Sequence, residues 1–335
     1  MNIQTICYVA GKSGGHIIPC LTLARTQKKN ILFFSSNTAL DKTILSNNKN
    51  ISWHIMLPFS TRAGSYIKTF FTACYSFLIS FFYLLKHRPT EIISTGTIVA
   101  IPPCIAGWIL RIPITLYSLD AVPGKAIQFL TPFATSIITP FATSRKYFSV
   151  KKYSVAPYPI KFNTPVNQQN ALHELNLSTE KKTILILGGS QGSLFLNQCM
   201  KQWIESSSFP ADTIQIIHQT GSIDNTDWNE FYTSHNINAY AFSYHPNLAL
   251  MYAAADLIIC RAGAGTLFEI KFFNKQCIII PLKTNTTTHQ VDNARAMVCE
   301  YPELFHMLAQ NEVEKHPTIL YELVTTLCNV SSIFR

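Results

Sequence analysis

Charge is scarce in this chain. Only 13% of its 335 residues are Asp, Glu, Lys or Arg, a low fraction for a soluble protein. Acids are the scarcer sign, and the formal net charge is +9. A basic surface suits an anionic partner: a phospholipid membrane, a nucleic acid or a diphosphate substrate. Clustered Arg/Lys runs and zinc-type spacings are both missing, so nucleic acid is not an expected partner. None of the nine cysteines forms a Cys-x-x-Cys pair, and most, such as Cys74, Cys104, Cys260 and Cys277, lie in apolar runs. That excludes a disulfide framework and fits a reducing compartment. A signal-peptide pattern is missing too, because Met1–Thr5 leads straight into a strand and a glycine loop. The dinucleotide spacing Gly-x-Gly-x-x-Gly is absent from the first glycine loop, and so is the interval of a Walker loop.

What is present is a repeated plan. The hydrophobic fraction of 47% is ample for two cores, and the length suits two domains. Ile6–Ala10 reads as a buried strand, Gly11–His16 as a glycine loop and Ile17–Lys29 as a helix. Thr183–Leu187, Gly188–Gly192 and Leu194–Ile204 repeat that order, as do Asp256–Cys260, Arg261–Gly265 and a helix from about Thr266. Such a turn lets a ligand approach the main chain, with free N–H groups and the positive end of a helix dipole behind it. Ser190 offers a hydroxyl suited to a phosphate oxygen, and Glu269, one turn into its helix, can accept bonds from a ribose. The dipole at the first helix favours a neutral imidazole at His16, which can then take a proton from a hydroxyl. Asp120 lies at the carboxyl end of the strand Ile112–Tyr117, where open α/β sheets place ligands. The prolines in Val155–Lys161 mark a hinge, dividing the chain into domains 1–157 and 158–335.

One stretch stands apart. Thr69–Leu85 carries no charge over 17 residues and is flanked by Lys68 and by Lys86-His87-Arg88. It is short for a membrane span, which needs roughly 20 residues. The expectation is a helix whose apolar face exceeds what the core needs, lying at a membrane surface; a fully buried core helix is the competing reading.

Gly11-Lys-Ser-Gly-Gly-His16, Gly188-Gly-Ser-Gln-Gly192, His218-Gln-Thr-Gly221, Arg261-Ala-Gly-Ala264 with Glu269, and His289-Gln290 with Asn293-Ala294 come in the order and spacing of the MurG family. The chain resembles that family from its first strand to about Leu327. The resemblance implies an α/β GT-B glycosyltransferase fold, two Rossmann-like domains facing a cleft. It implies inverting transfer of GlcNAc from UDP-GlcNAc to the C4 hydroxyl of undecaprenyl-diphospho-MurNAc-pentapeptide, with no metal or other cofactor. It also implies peripheral attachment to the anionic cytoplasmic face of the cell membrane. Residues 1–157 would face acceptor and membrane, and 158–335 would bind the UDP-sugar.

The resemblance assigns Ser13, Gly14 and Gly15 to a loop at the donor and the acceptor diphosphate, and His16 to the base. Asp120 is the second candidate base and an acceptor contact. Lys161 falls at a substrate-binding arginine of the family, Ser190 on the donor phosphate and His245 near the uracil. Ala264, Gly265, Thr266, Leu267, Phe268 and Glu269 match the turn under the nucleotide, and Gln290 the reader of the GlcNAc hydroxyls. The chain departs from the family at several of these places. Lys12-Ser13 stands for Gly-Thr, Asp120 for asparagine, Tyr117-Ser-Leu for His-Glu-Gln and Lys161 for arginine, which loses a bidentate fork. The Gly96 loop lacks the family's glycines and tyrosine, and Thr286-Thr-Thr288 replaces an acidic loop. Another lipid-acceptor GT-B transferase and a non-catalytic nucleotide-sugar-binding scaffold are the alternative readings.

Overall fold

A computed structural model of the chain describes residues 4–25, 29–46, 48, 50–58, 66–149, 152–164, 166–189, 191–206, 208–282 and 288–330. It divides into two compact units, Met1–Lys161 and Phe162–Arg335. Each is built on one parallel sheet. The first sheet comprises β1 (Thr5–Val9), β2 (Asn30–Ser36), β3 (Trp53–Leu57), β4 (Ile92–Ser94), β5 (Ile114–Tyr117), β6 (Ser136–Thr139) and β7 (Tyr153–Val155), in the order β3-β2-β1-β4-β5-β6-β7. The second comprises β8 (Lys182–Leu187), β9 (Ile214–Gln219), β10 (Ala239–Phe242), β11 (Leu257–Cys260), β12 (Gln276–Ile279) and β13 (Phe305–Met307), in the order β10-β9-β8-β11-β12-β13. Both sheets are doubly wound, so each has a point where the strand order reverses: between β1 and β4, and between β8 and β11.

The strands are near-continuous apolar runs because helices cover both faces of a parallel sheet. All five residues of β1 are buried, and Ile6 and Tyr8 join one core while Cys7 and Val9 join the other, as strand alternation requires. In the second unit Ile184, Ile216 and Ile259 pack beneath Trp203, whose ring stacks on Tyr321 at 4.9 Å.

Several expected elements shift at their ends. The first helix runs Gly14–Arg25 rather than from Ile17, and the helix after β11 runs Ala264–Phe272 rather than from Thr266. Gly14 and Gly15 are thus taken into the first turn of one helix and Gly265 into that of the other, while Gly263 stays outside as its N-cap. Val155 pairs with Thr139 as the end of β7, so the connection between units begins after it.

The helix Tyr66–His87 is turned in an unusual sense. Its inner face buries Ser76, Ser80 and Leu84, and the Ser80 hydroxyl donates to the Ser76 carbonyl at 2.7 Å. Its outer face exposes Phe71, Tyr75, Leu78, Phe82 and Leu85, each at least half exposed, at the three-to-four spacing of one helical stripe. The competing reading, a fully buried core helix, is therefore corrected: one stripe of rings faces out, while Ser76, Ser80 and Leu84 are buried and Phe77, Phe81 and Tyr83 pack partly against the core. The same layer of helices exposes Trp108, Ile109 and Phe129.

Candidate active site

In the first unit the site residues gather at the carboxyl ends of three neighbouring strands, β1, β4 and β5. After β1 the chain turns sharply at Gly11, where a Cβ would lie 2.9 Å from the Ser36 amide nitrogen. Lys12 then adopts φ 71°, the left-handed region that costs a side-chain-bearing residue about 1–2 kcal/mol. A buried carboxylate holds this strained turn. Asp41 is fully buried and accepts from the Lys12 amide (3.2 Å), the Ser36 amide (3.0 Å), the Ser36 hydroxyl and the Thr38 hydroxyl (2.6 Å). Sequence reasoning passed over Asp41, because a lone acid in the helix Ala39–Ser46 looks like any first-turn acid.

The first helical turn closes when the His16 and Ile17 amides donate to the Ser13 carbonyl. The amides of Gly14 and Gly15 are the first two of the helix and precede any intrahelical acceptor. A Cβ on Gly15 would meet nothing nearer than 3.9 Å, and one on Gly14 nothing nearer than 3.6 Å. Among the described residues no contact demands glycine at these positions, and the pair leaves room for a ligand against the helix N-terminus.

His16 crosses the first switch point. Its Nδ1 lies 2.7 Å from the Thr95 carbonyl oxygen just after β4, and the Thr95 hydroxyl donates back to the His16 carbonyl at 3.0 Å. A carbonyl can only accept, so Nδ1 carries a proton, and in the neutral ring Nε2 is the atom with the lone pair. Next to Thr95, Thr97 adopts φ 75° and ψ 157°, a region otherwise almost confined to glycine, and its Oγ1 is buried without a partner. Ser118 Oγ, two residues before Asp120 in the loop after β5, is likewise buried without a partner. Asp120 is half-buried in that loop, and half-buried Lys161 ends the unit.

The second unit repeats the device at its own switch point. Its glycines are fixed by packing. Gly192 (φ 85°) and Gly221 (φ 81°) lie back to back, and a Cβ on Gly221 would fall 2.2 Å from the Gln191 carbonyl oxygen. Gly189 (φ 89°) instead faces open space. Gly221→Ala is therefore expected to destabilise the second unit by about 2–5 kcal/mol, left-handed strain plus overpacking. Gly189→Ala should cost only the strain, about 1–2 kcal/mol. Urea unfolding of the two variants checks the difference. Ser190, between these glycines, lies outside the described residues, as do 286 and 287 of the threonine run.

Arg261 ties the loops together. Its Nε donates to Ser193 Oγ (3.1 Å), and its Nη1 to the Ile280 carbonyl (3.0 Å) and Gln310 Oε1 (2.8 Å). The guanidinium also lies 5.2 Å from the Phe195 ring centroid, and burial lowers its pKa. One side chain thus joins the carboxyl ends of β8, β11 and β12 to the helix after β13. Beside it, the helix Ala264–Phe272 opens at Gly263 with no side-chain cap, so its first amides face outward. Gly265 and Thr266 are half-buried at this end. Ala264, Leu267 and Phe268 are buried, so their side chains serve the core. Glu269 accepts from the buried Tyr252 hydroxyl at 2.9 Å, which orients the carboxylate. Gln290 Oε1 accepts from the Ala262 (3.2 Å) and Leu282 (2.9 Å) amides. That leaves its NH₂ group as the donor to offer a ligand. His245 sits in the loop after β10, its Nδ1 beside the Asn247 backbone.

His218 belongs to the scaffold. It is fully buried, with Nδ1 2.8 Å from the Tyr232 hydroxyl and Nε2 3.1 Å from Asn197 Oδ1, and burial lowers its pKa to about 3. Among the described residues, no three His, Cys, Asp or Glu side chains converge as metal ligands.

Comparison with known proteins covers both units. Residues 6–139 match the glycosyltransferase family 28 N-terminal domain, and residues 183–329 its C-terminal domain. The UDP-N-acetylglucosamine--N-acetylmuramyl-(pentapeptide) pyrophosphoryl-undecaprenol N-acetylglucosamine transferase of Protochlamydia amoebophila is 30% identical over 85% of this chain and 78% of its own length. The Myxococcus xanthus transferase of the same name is 26% identical over 88% and 78%. The crystal structure of Acinetobacter baumannii MurG superposes with a TM-score of 0.77 at 22% identity, covering 97% of this chain and 91% of that one.

Proposed function

The chain belongs to the MurG family, glycosyltransferase family 28, and we propose that it transfers N-acetylglucosamine from UDP-GlcNAc to a pyrophosphoryl-undecaprenol-linked N-acetylmuramyl-pentapeptide. The observation that supports this reading is the contact of His16: Nδ1–H is spent on the Thr95 carbonyl, which leaves Nε2 as the ring atom that can take a proton beside the helix N-terminus.

In the proposed reaction the acceptor diphosphate lies against Ser13 and the amides of Gly14 and Gly15, with Lys12 adding positive charge. The buried hydroxyls of Thr97 and Ser118 supply polar partners at the same strand ends. The acceptor's C4 hydroxyl attacks the anomeric carbon of the donor, its proton passes to His16 Nε2, and the sugar–phosphate bond breaks with inversion. Charge growing on the departing UDP is stabilised by main-chain amides and the helix dipole at Gly263–Thr266, and by the loop that holds Ser190. Asp120 orients groups on the acceptor side. Glu269 holds the ribose, the Gln290 amide group reads the sugar hydroxyls and His245 stands near the uracil. Lys161 adds a substrate-facing cation.

The outer surface of the first unit's helices supports a peripheral location at a membrane. Rings exposed along Phe71–Leu85, with Lys86 and Arg88 at one end, fit peripheral attachment to an anionic bilayer. The direct test is incubation with UDP-GlcNAc and the lipid-linked monosaccharide acceptor. Appearance of the lipid-linked disaccharide is the expected result, and its absence in the presence of bound UDP-GlcNAc would favour a non-catalytic sugar-nucleotide binder. Glu269→Gln should weaken UDP-GlcNAc binding by about 1.5–3 kcal/mol, the worth of a hydrogen bond to a charged group. Unchanged affinity by calorimetry would remove Glu269 from the donor site.

A further inference from the structure

The helical layer that carries the exposed rings also contains a groove. Phe70, Cys74 and Phe77 of the helix Tyr66–His87 form one wall, and Ile101, Pro102 and Ile105 of the helix Ile101–Ile109 form the other. The space is about 340 Å³ and its lining is apolar. It lies on the flank of the long helix and shares Leu78 with the outward stripe of Phe71, Tyr75 and Phe82, so groove and stripe adjoin.

Its place in the fold is informative. The two helices follow β3 and β4, and the groove runs from the N-terminal turns of each as far as Leu78, just past the middle of the long helix. In a parallel sheet those ends lie at the carboxyl edge of the strands, where His16 and Thr95 sit. Ile101 follows Thr95 after a single 3-10 turn, Ile98–Ala100. Chain reach alone keeps the near end of the groove within about 20 Å of the base's backbone partner.

We propose that this groove holds the first isoprene units of the acceptor's polyprenyl chain. The inference rests on the acceptor class assigned above. A polyprenyl diphosphate joins its hydrocarbon directly to the charged group, so an apolar path must begin beside the diphosphate site. A diphosphate at Gly14 and Gly15 would leave the chain at this edge, and the groove is an open apolar depression of the first unit reached from that edge. Its volume suits a short run of isoprene units, with the remainder of the chain left in the bilayer. Branched methyl groups of the chain would pack between the Phe70 and Phe77 rings and against the Cys74 sulfur.

Cys74 supplies the test. It is exposed in the groove, Cys299 is exposed in the other unit, and the other seven cysteines are buried. Maleimide labelling of the whole protein in detergent should be slowed at least about tenfold at Cys74 by geranylgeranyl diphosphate, with Cys299 unchanged as the internal reference. Inorganic diphosphate should give no protection. Equal labelling with and without the prenyl compound overturns the proposal. So does equal protection by phosphatidylglycerol vesicles lacking any polyprenyl lipid, which would make the groove part of a bilayer contact. Protection that grows with protein concentration alone would assign the groove to a second copy of the chain and also overturn it.

A second arm uses activity. Ala73, also in the lining, is half-buried. Ala73→Phe fills the groove and should raise KM for the long-chain acceptor about tenfold while kcat and KM for a short-chain analogue hold. An unchanged long-chain KM in a folded variant counts against the groove. Protection of Cys74 without transfer to any acceptor would remove the transferase reading and keep the groove. Transfer without protection would remove the groove alone.

Discussion

His16→Ala should lower single-turnover transfer by about 10²–10⁴-fold, on the order of 3–5 kcal/mol in the barrier, and leave UDP-GlcNAc affinity nearly unchanged. The rate should fall because His16, the one imidazole at the first switch point among the described residues, donates Nδ1–H to the Thr95 carbonyl and in the proposed reaction presents Nε2 as the proton acceptor. Affinity holds because the proposed donor contacts, Glu269 and Gln290, lie in the other unit. His16→Asn separates the two duties of the ring. Its amide can replace the Nδ1–H bond to Thr95 but carries no base, so it should be as slow as alanine while keeping the loop's stability. Asp120→Asn is the companion control and should be nearly silent if Asp120 only orients groups. Near-normal turnover in His16→Ala beside a dead Asp120→Asn would transfer the base role to Asp120.

The part of this site legible in the sequence is the part written in local order. Strand, glycine loop and helix repeat at Ile6, Thr183 and Asp256, and parallel sheets buried on both faces read as plain apolar runs. Spacing of the glycine motifs then carried the family. What local order cannot carry is a partner distant in the chain. Asp41 holds the Lys12 turn from 29 residues away, and Thr95 fixes the His16 tautomer across 79. Arg261 was visible as a motif residue, but its span to Ser193 and Gln310 depends on strand order that no single loop encodes. The roles of glycines also separate only in three dimensions. Gly192 and Gly221 are demanded by backbone contact, whereas Gly14 and Gly15 are demanded by no contact among the described residues. Those two pairs look alike in sequence, and only the second leaves space for a ligand. The helix Tyr66–His87 shows the same limit, since its uncharged run does not reveal which side faces out.

That orientation sets the last expectation, release of the protein from acidic liposomes by Phe71→Ser, Phe82→Ser and Leu85→Ser together. The three side chains are 65%, 60% and 50% exposed, so in water they hold little of the core together and the variant should fold. Burying such rings in lipid is worth about 1–2 kcal/mol each at this degree of exposure, so their joint loss should cut partitioning by roughly 10²–10⁴-fold. The inner face buries Ser76 and Ser80, with Phe77, Ile79, Phe81 and Tyr83 packed partly against the core. In the proposed attachment the outward rings meet the apolar phase, and the bases at Lys86 and Arg88 meet its anionic headgroups. Sedimentation with phosphatidylglycerol vesicles measures the effect, and urea unfolding of the same variant shows that the fold is intact. The helix is long and apolar enough to cross a membrane by length and composition. Wild-type protein that resists both high salt and alkaline carbonate would therefore mean that it spans the bilayer, and peripheral attachment would be wrong. Unchanged partitioning of the triple variant would place the membrane contact elsewhere, with Trp108, Ile109 and Phe129 the next surface to substitute.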